Sequence, residues 1–335
     1  MNKPALFFMI ALLSIDLSTT PCHAQTSGVG RQQGGGQVPQ GGQASNSGDV
    51  KLSSLRYTGP LFDAHSHLTQ SLPPDGLILL MRKAGLARAV IFGPMIMDDS
   101  VILQLQKKNP DFVFPFAQLP RDPSTRRVML NESGITFVRK QLDTGVMRGI
   151  GEISVRHRAF GGSSQGGDQN PADDPILLNV YDLAAERRIP VNIHMEHEYS
   201  AELERALAHN PHAVIIWAHM GDGPCSLVKS LMENHSNLFA DISCRNPYFQ
   251  RGNSLQEQSL TDPNGDLKSD WKSLFEEFPD RFMFGLDLGF DRYNSLDKLI
   301  EYYRSVLGQL TPGTAEKIGH KNIESLLNLR GSNSP

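Results

Sequence analysis

Leu61-Phe62-Asp63-Ala64-His65-Ser66-His67 follows Gly59-Pro60 and reads as a short buried strand ending in two histidines. On a strand, residues i and i+2 point to one face. His65 and His67 are therefore expected to project together, with Asp63 one step deeper on that side and Ala64 and Ser66 facing away. Two neutral imidazoles held side by side make half of a site for zinc or a similar divalent ion. Taken alone, such a pair is as readily an accident of a surface strand. The ends of the later strands decide between the two readings.

Downstream, apolar runs alternate with helical patterns. Strands are expected over 87–92, 112–119, 146–153, 190–194, 213–219, 238–242 and 281–287. Helices are expected over 73–85, 99–109, 136–142, 175–188, 201–209, 227–235, 271–278 and 296–307, with Asp173 or Asp174 capping the fourth. A last helix over 315–329 packs outside. Each strand end lies 23 to 45 residues after the one before, room for a strand, a loop and a helix. Such alternation implies parallel strands joined by right-handed crossovers. Eight units close most naturally into an α/β (β/α)8 TIM barrel. An open doubly wound sheet is the competing fold, but it binds phosphates through a Gly-rich first turn that Asp63-Ala64-His65-Ser66-His67 lacks.

In a barrel of this kind the active site lies at the C-terminal ends of the strands. Those ends carry His65 and His67 on strand one, Glu152 on strand four, His194 on strand five, His219 on strand six and Asp287 on strand eight. Six side chains able to bind metal on five strand ends are a stronger signal than any one of them. His197, three residues past His194, reads as a rim residue, and Trp217 as barrel filling on the same face as His219. Arg156, His157, Arg245 and Arg292 follow strand ends and are candidates to receive a substrate carboxylate or phosphate, with solvated surface arginine as the plainer reading. The loop over 156–173, with Gly161-Gly162 and Gly166-Gly167, reads as a lid.

The pieces 63–67, Gly149-Ile150-Gly151-Glu152-Ile153, Val191-Asn192-Ile193-His194, Trp217-Ala218-His219-Met220-Gly221, Phe284-Gly285-Leu286-Asp287 and Ile318-Gly319-His320-Lys321-Asn322 together resemble the amidohydrolase superfamily, in particular its amidohydrolase-2 (amidohydrolase-related) branch. The resemblance spans residues 61 to 329. It implies a metal-dependent barrel enzyme in which His65, His67 and His194 bind a divalent metal, most simply zinc, as one or two ions. Asp287 would bind the metal or its water and take the proton, and His219 would bind a second metal or polarise substrate or water. Glu152 would either bridge two ions, where some relatives use a carboxylated lysine that this strand end lacks, or be structural. Leu286 stands where the family often has Thr. The implied activity is hydrolysis of a C–N, ester or lactone C–O, or P–O bond in a small molecule. Non-oxidative decarboxylation on the same scaffold is the first alternative and a binding protein without turnover the second.

The rest of the chain sets the context. With 335 residues, net charge −4 and 39% hydrophobic residues, the composition is that of a globular enzyme with no basic face for nucleic acid. Lys3, the apolar run 5–13 and small residues up to Ala24 resemble a secretory signal over 1–24, too short to span a membrane. Residues 25–50, rich in Gly, Gln and Ser, have almost nothing apolar to bury and read as a disordered linker. The enzyme domain is then 51–330, periplasmic or secreted, with a homodimer left open. Cys225 and Cys244 remain after cleavage and read as free thiols in preference to a disulfide.

Overall fold

The computed structural model describes residues 50–329 apart from 69–70, 94–97, 126, 158–167, 249–257 and 290–291. The expected leader, nearly all of the expected linker and most of the 156–173 lid lie outside the described residues.

Eight parallel strands are present among the described residues: β1 Phe62–His67, β2 Arg88–Phe92, β3 Val113–Phe116, β4 Ile150–Ser154, β5 Val191–His194, β6 Ile215–Trp217, β7 Leu238–Asp241 and β8 Phe282–Met283. They run as two arcs, β1–β2–β3 and β4 to β8. A bridge between Ala117 and Ile150 joins the arcs on one side, and one between Ser66 and Leu288 joins them on the other. At the second seam the Ala64 N–H donates to the Phe284 carbonyl (2.9 Å) and the His67 N–H to that of Leu288 (2.7 Å). The expected (β/α)8 barrel is closed.

Helices α1 Pro74–Lys83, α2 Ser100–Lys108, α3 Glu132–Asp143, α4 Pro175–Arg187, α5 Ser200–His209, α6 Cys225–Asn234, α7 Ser269–Glu277 and α8 Leu296–Leu307 surround it. Asp174 caps α4, its side chain accepting from the Ile176 N–H at 2.8 Å. α3 begins four residues before its expected start because Asn131 accepts from the Gly134 N–H at 3.0 Å, a cap not read from the sequence. The last helix is broken into α9 Pro312–Glu316, a π turn Lys317–Lys321 and α10 Asn322–Leu326. No helix among the described residues is long and apolar enough to cross a membrane.

The strands sort their side chains onto two faces. Val90, Phe92, Phe114, Phe116, Ile216 and Met283 pack together inside the barrel, with Ile323 and Leu327 among them. Ala89, Ile91, Val191, Ile193, Trp217 and Ala240 pack with the helices. Trp217 therefore fills the layer between barrel and helices, not the barrel itself, and its indole N–H donates to the Met195 carbonyl at 2.9 Å.

Two register shifts break the alternation where the site is built. In β1, Phe62 and Asp63 pair with Arg88 and Ala89, but Ser66 and His67 pair with Ile91 and Phe92, with an irregularity between Asp63 and Ser66. A bulge of this kind adds a residue and turns later side chains over. Asp63 consequently shares the outer face with Ser66 instead of lying beneath the histidines as simple alternation predicts. There it accepts from the N–H groups of His65 and Leu286, both at 3.0 Å. In β4 a second shift lies between Ile150 and Ile153. Gly151 takes φ +128° there, and a Cβ would stand 2.4 Å from the Asn192 carbonyl oxygen. Only glycine fits.

Strands six and eight are shorter than expected. His219 and Asp287 lie beyond Trp217 and Met283, on irregular chain with φ of 56° and 49°. The turn His219-Met220-Gly221 is left-handed throughout, and a Cβ on Gly221 would come within 2.0 Å of the Trp217 ring. Neither Cys225 nor Cys244 is in a disulfide.

Candidate metal centre

At the C-terminal mouth His65, His67, Glu152, His194, His219 and Asp287 converge. His65 Nε2 lies 3.3 Å from His67 Nε2. Glu152 reaches all four histidines: Oε2 is 3.3 Å from His67 Nε2, while Oε1 is 2.8 Å from His194 Nδ1, 3.5 Å from His65 Nε2 and 3.7 Å from His219 Nε2. Asp287 closes the ring, with Oδ1 3.3 Å from His67 Nε2 and 3.7 Å from His65 Nε2, and Oδ2 3.6 Å from His219 Nε2. Two ligand atoms on a tetrahedral zinc ion lie about 3.4 Å apart. Most of these gaps have that spacing.

The histidine orientations follow from a residue that the strand-end reading missed. Asp241 ends β7 on the inner face, where its strand partner is Met283. Its Oδ2 accepts from His65 Nδ1 at 2.9 Å, and its Oδ1 accepts from the Ser243 hydroxyl. Ser243 Oγ, having given its proton to Asp241, accepts from His219 Nδ1 at 2.6 Å. With Nδ1 of each ring engaged in this way, both rings aim Nε2 toward the centre. His219 Nε2 is buried and has no hydrogen-bond partner, although Glu152 and Asp287 flank it. A buried lone pair facing two carboxylates fits a divalent cation and is otherwise costly to leave unmatched. The donor set of imidazoles and carboxylates suits zinc and related ions.

Electrostatics bind the group together. Burial opposes ionisation of Glu152, but His65 and His194 outweigh it and hold the carboxyl well below the usual range. Burial likewise opposes ionisation of Asp287, and Arg292 leads the groups that hold it well below that range. Burial disfavours a charged His65, yet Asp241 and Glu152 push its pKa well above the ordinary value. His219 goes the other way, driven down chiefly by burial. Burial thus favours the neutral ring that metal ligation would require.

The three candidate substrate arginines part company. Arg292 pairs with Asp287 Oδ2 and donates to the Asp287 carbonyl at 2.6 Å. Cys244 Sγ also donates to Oδ2, at 3.0 Å. Arg156 is tied to Glu202 (2.8 Å) and lies over the Tyr199 ring. Arg245 is 1% exposed and its guanidinium lies over Trp271 of the helix layer at 4.8 Å, so neither of these two is brought to the histidines. The side chain after a strand end alternates faces, and nothing in the sequence told which way each arginine turns. His197 sits at the rim, 3.2 Å from the Gly221 carbonyl. The signal for Asp241 was present as Asp241-Ile242-Ser243, two polar residues one apart at a strand end.

A closed (β/α)8 barrel with imidazoles and carboxylates gathered at its mouth is the architecture of a metal-dependent barrel enzyme. Residues 60–329 match the amidohydrolase model Amidohydro_2; the chain belongs to that family. Among solved structures it is similar to a probable 2-pyrone-4,6-dicarboxylic acid hydrolase from Acinetobacter baumannii, at 12% identity and TM-score 0.56 over 81% of this chain and all of that one. It is also similar to 2,6-dihydroxybenzoate decarboxylase from Rhizobium, at 13% identity and TM-score 0.55 over 81% and 99% of the two chains. An amidohydrolase from Burkholderia multivorans with bound zinc follows, at 12% identity and TM-score 0.52 over 81% and 99%. At such identities these likenesses concern the barrel. No curated protein matches the sequence.

Proposed function

We propose that the protein is an exported metal-dependent hydrolase that cleaves a C–N, ester or lactone C–O, or P–O bond of a small molecule. The observation that carries this reading is the place of Glu152 in the ring: Oε2 faces His67, while Oε1 faces His194, His65 and His219. A carboxylate so placed would help hold divalent ions, with His65, His67 and Asp287 as ligands on one side and His194 and His219 on the other. Divalent zinc or a similar ion bound there would supply Lewis-acid polarisation of the scissile group and would acidify water from 15.7 toward about 7. Asp287 Oδ1, turned toward His65 and His67, accepts the water proton and returns it to the leaving group. Arg292 and Cys244 hold the other oxygen, so the carboxylate stays ionised and fixed for that transfer.

Two neighbours frame the substrate. One bears the name of a hydrolase of a pyrone, a cyclic ester, and the other the name of a decarboxylase of an aromatic acid. Hydrolysis is favoured here because Arg156 and Arg245 are engaged away from the histidines and Arg292 is engaged by Asp287. A screen of lactones, amides, phosphoesters and aromatic carboxylic acids with metal-loaded protein tests this. Turnover of a lactone, amide or phosphoester that falls by 10² to 10⁴ in Asp287→Asn is expected. Carbon dioxide release from the acids alone would replace hydrolysis by decarboxylation, and no turnover in either class would favour the binding protein. Export through the 1–24 segment is part of the same proposal. Mass spectrometry of the protein recovered outside the cytoplasm should then give a chain beginning at Gln25.

A further inference from the structure

β5 ends at His194, the chain continues through Met195 and Glu196, and a further group of side chains gathers on the far side of His194. The Glu196 carboxylate lies 3.2 Å from His157 Nδ1 through Oε1, and the same oxygen is 4.0 Å from His194 Nε2. The His157 and His194 rings are 3.9 Å apart, centroid to centroid. One ligand atom from each of the three residues falls within 4.8 Å of the others. Glu196 is buried, and His157 is partly open to solvent, its side chain 15% exposed. Two imidazoles and a carboxylate at this spacing are a ligand set for zinc. It lies outside the ring of the six residues described above, and only His194 belongs to both.

His194 uses opposite edges for the two groups. Nδ1 faces inward, 2.8 Å from Glu152, and Nε2 faces Glu196. A neutral imidazole has one N–H and one lone pair. If Nδ1 gives its lone pair to an inner cation, Nε2 carries the proton and turns it toward Glu196. If Nε2 gives its lone pair to an outer cation, Nδ1–H donates to Glu152. A single neutral ring cannot serve both at once.

We propose that His157, His194 and Glu196 form an outer divalent-cation site that competes with the inner centre for the lone pair of His194. The proposal rests on the reading of the inner residues as cation ligands. Its consequence is two classes of zinc binding, a tight inner class and a weaker outer one, with outer occupancy drawing His194 away from the inner ions. The outer class fills from solvent past the His157 side.

The test is zinc binding by competition with chelators of graded affinity, with bound zinc counted by elemental analysis. It uses the whole wild-type chain, Glu196→Gln, His157→Ala and His65→Asn. Wild type should show the tight class and a weaker one. Glu196→Gln, nearly isosteric, and His157→Ala should weaken the outer class at least about tenfold while the tight class remains. His65→Asn should do the reverse. Cobalt added in place of zinc should give a second visible absorption band at high concentration in wild type, absent from both outer variants. A single class in wild type, or a weak class untouched by both outer variants, would overturn the proposal. A tight class that survives His65→Asn would instead overturn the reading of the inner centre.

Discussion

Buried at the end of β7, Asp241 decides how two of the histidines face. It takes the Nδ1 proton of His65 directly and that of His219 through Ser243, and Asn192 donates to it at 3.3 Å. Burial opposes its ionisation, and His65 beside it more than offsets that. Asp241→Asn keeps the shape but replaces one acceptor by a donor, so the ring tautomers are no longer both dictated. Zinc affinity, measured by chelator competition, should fall 10- to 100-fold with the thermal unfolding of the metal-free protein little changed. An unchanged affinity would mean that His65 and His219 are oriented by something else. The six ligand candidates were legible because strand ends are legible. Asp241 was not, because an aspartate inside an apolar strand is read as the strand's boundary before it is read as a partner.

Two strands reach the site only by departing from regular pleat. The bulge in β1 carries Asp63 to the outer face, where it ties β1 to the chain after β8 through the Leu286 N–H. Burial pushes the Asp63 carboxyl up to about 7, against the donations of Ser66 and His65. An unfolded aspartate titrates near 3.9. Between about pH 4 and 7 the folded state therefore holds the proton more tightly, and its stability falls as pH rises through that window. Asp63→Asn removes this dependence and still accepts from both N–H groups. In chelated protein the variant should gain on wild type by a few kcal/mol, on the order of the three-unit shift, between pH 4 and 7.5 in denaturant titrations. A constant difference across that range would contradict the assignment. The alternation rule predicted His65 and His67 together and misplaced Asp63, since a bulge leaves no mark on composition. Gly151 and Gly221 are its counterparts in β4 and after β6. Both stand in the stretches that carry the family resemblance, but only the approach of Asn192 and Trp217 explains why each must be glycine.

At the scale of the whole molecule, closure is what brings distant residues to one place. The eight-unit rhythm was legible from Gly, Pro and apolar spacing, and the barrel followed from it. The lengths of β6 and β8 were not, because His219 and Asp287 continue apolar runs in sequence while the backbone has already turned left-handed. The last helix, expected to lie outside the barrel, does more than cover it. Asn322 donates to the carbonyls of Pro279 and Phe282 at 2.8 and 2.7 Å, and Ile323 and Leu327 join the cluster inside the barrel. With the strands closed above that plug, side chains from β1, β4, β5, β6 and β8 share one mouth.

Anomalous diffraction at the zinc absorption edge, from crystals grown with zinc, tests that sharing most directly. Peaks are expected within ligand distance of His65, His67 and Asp287 and of His194 and His219, with Glu152 between them. A zinc-soaked crystal with no peak among these residues would contradict it.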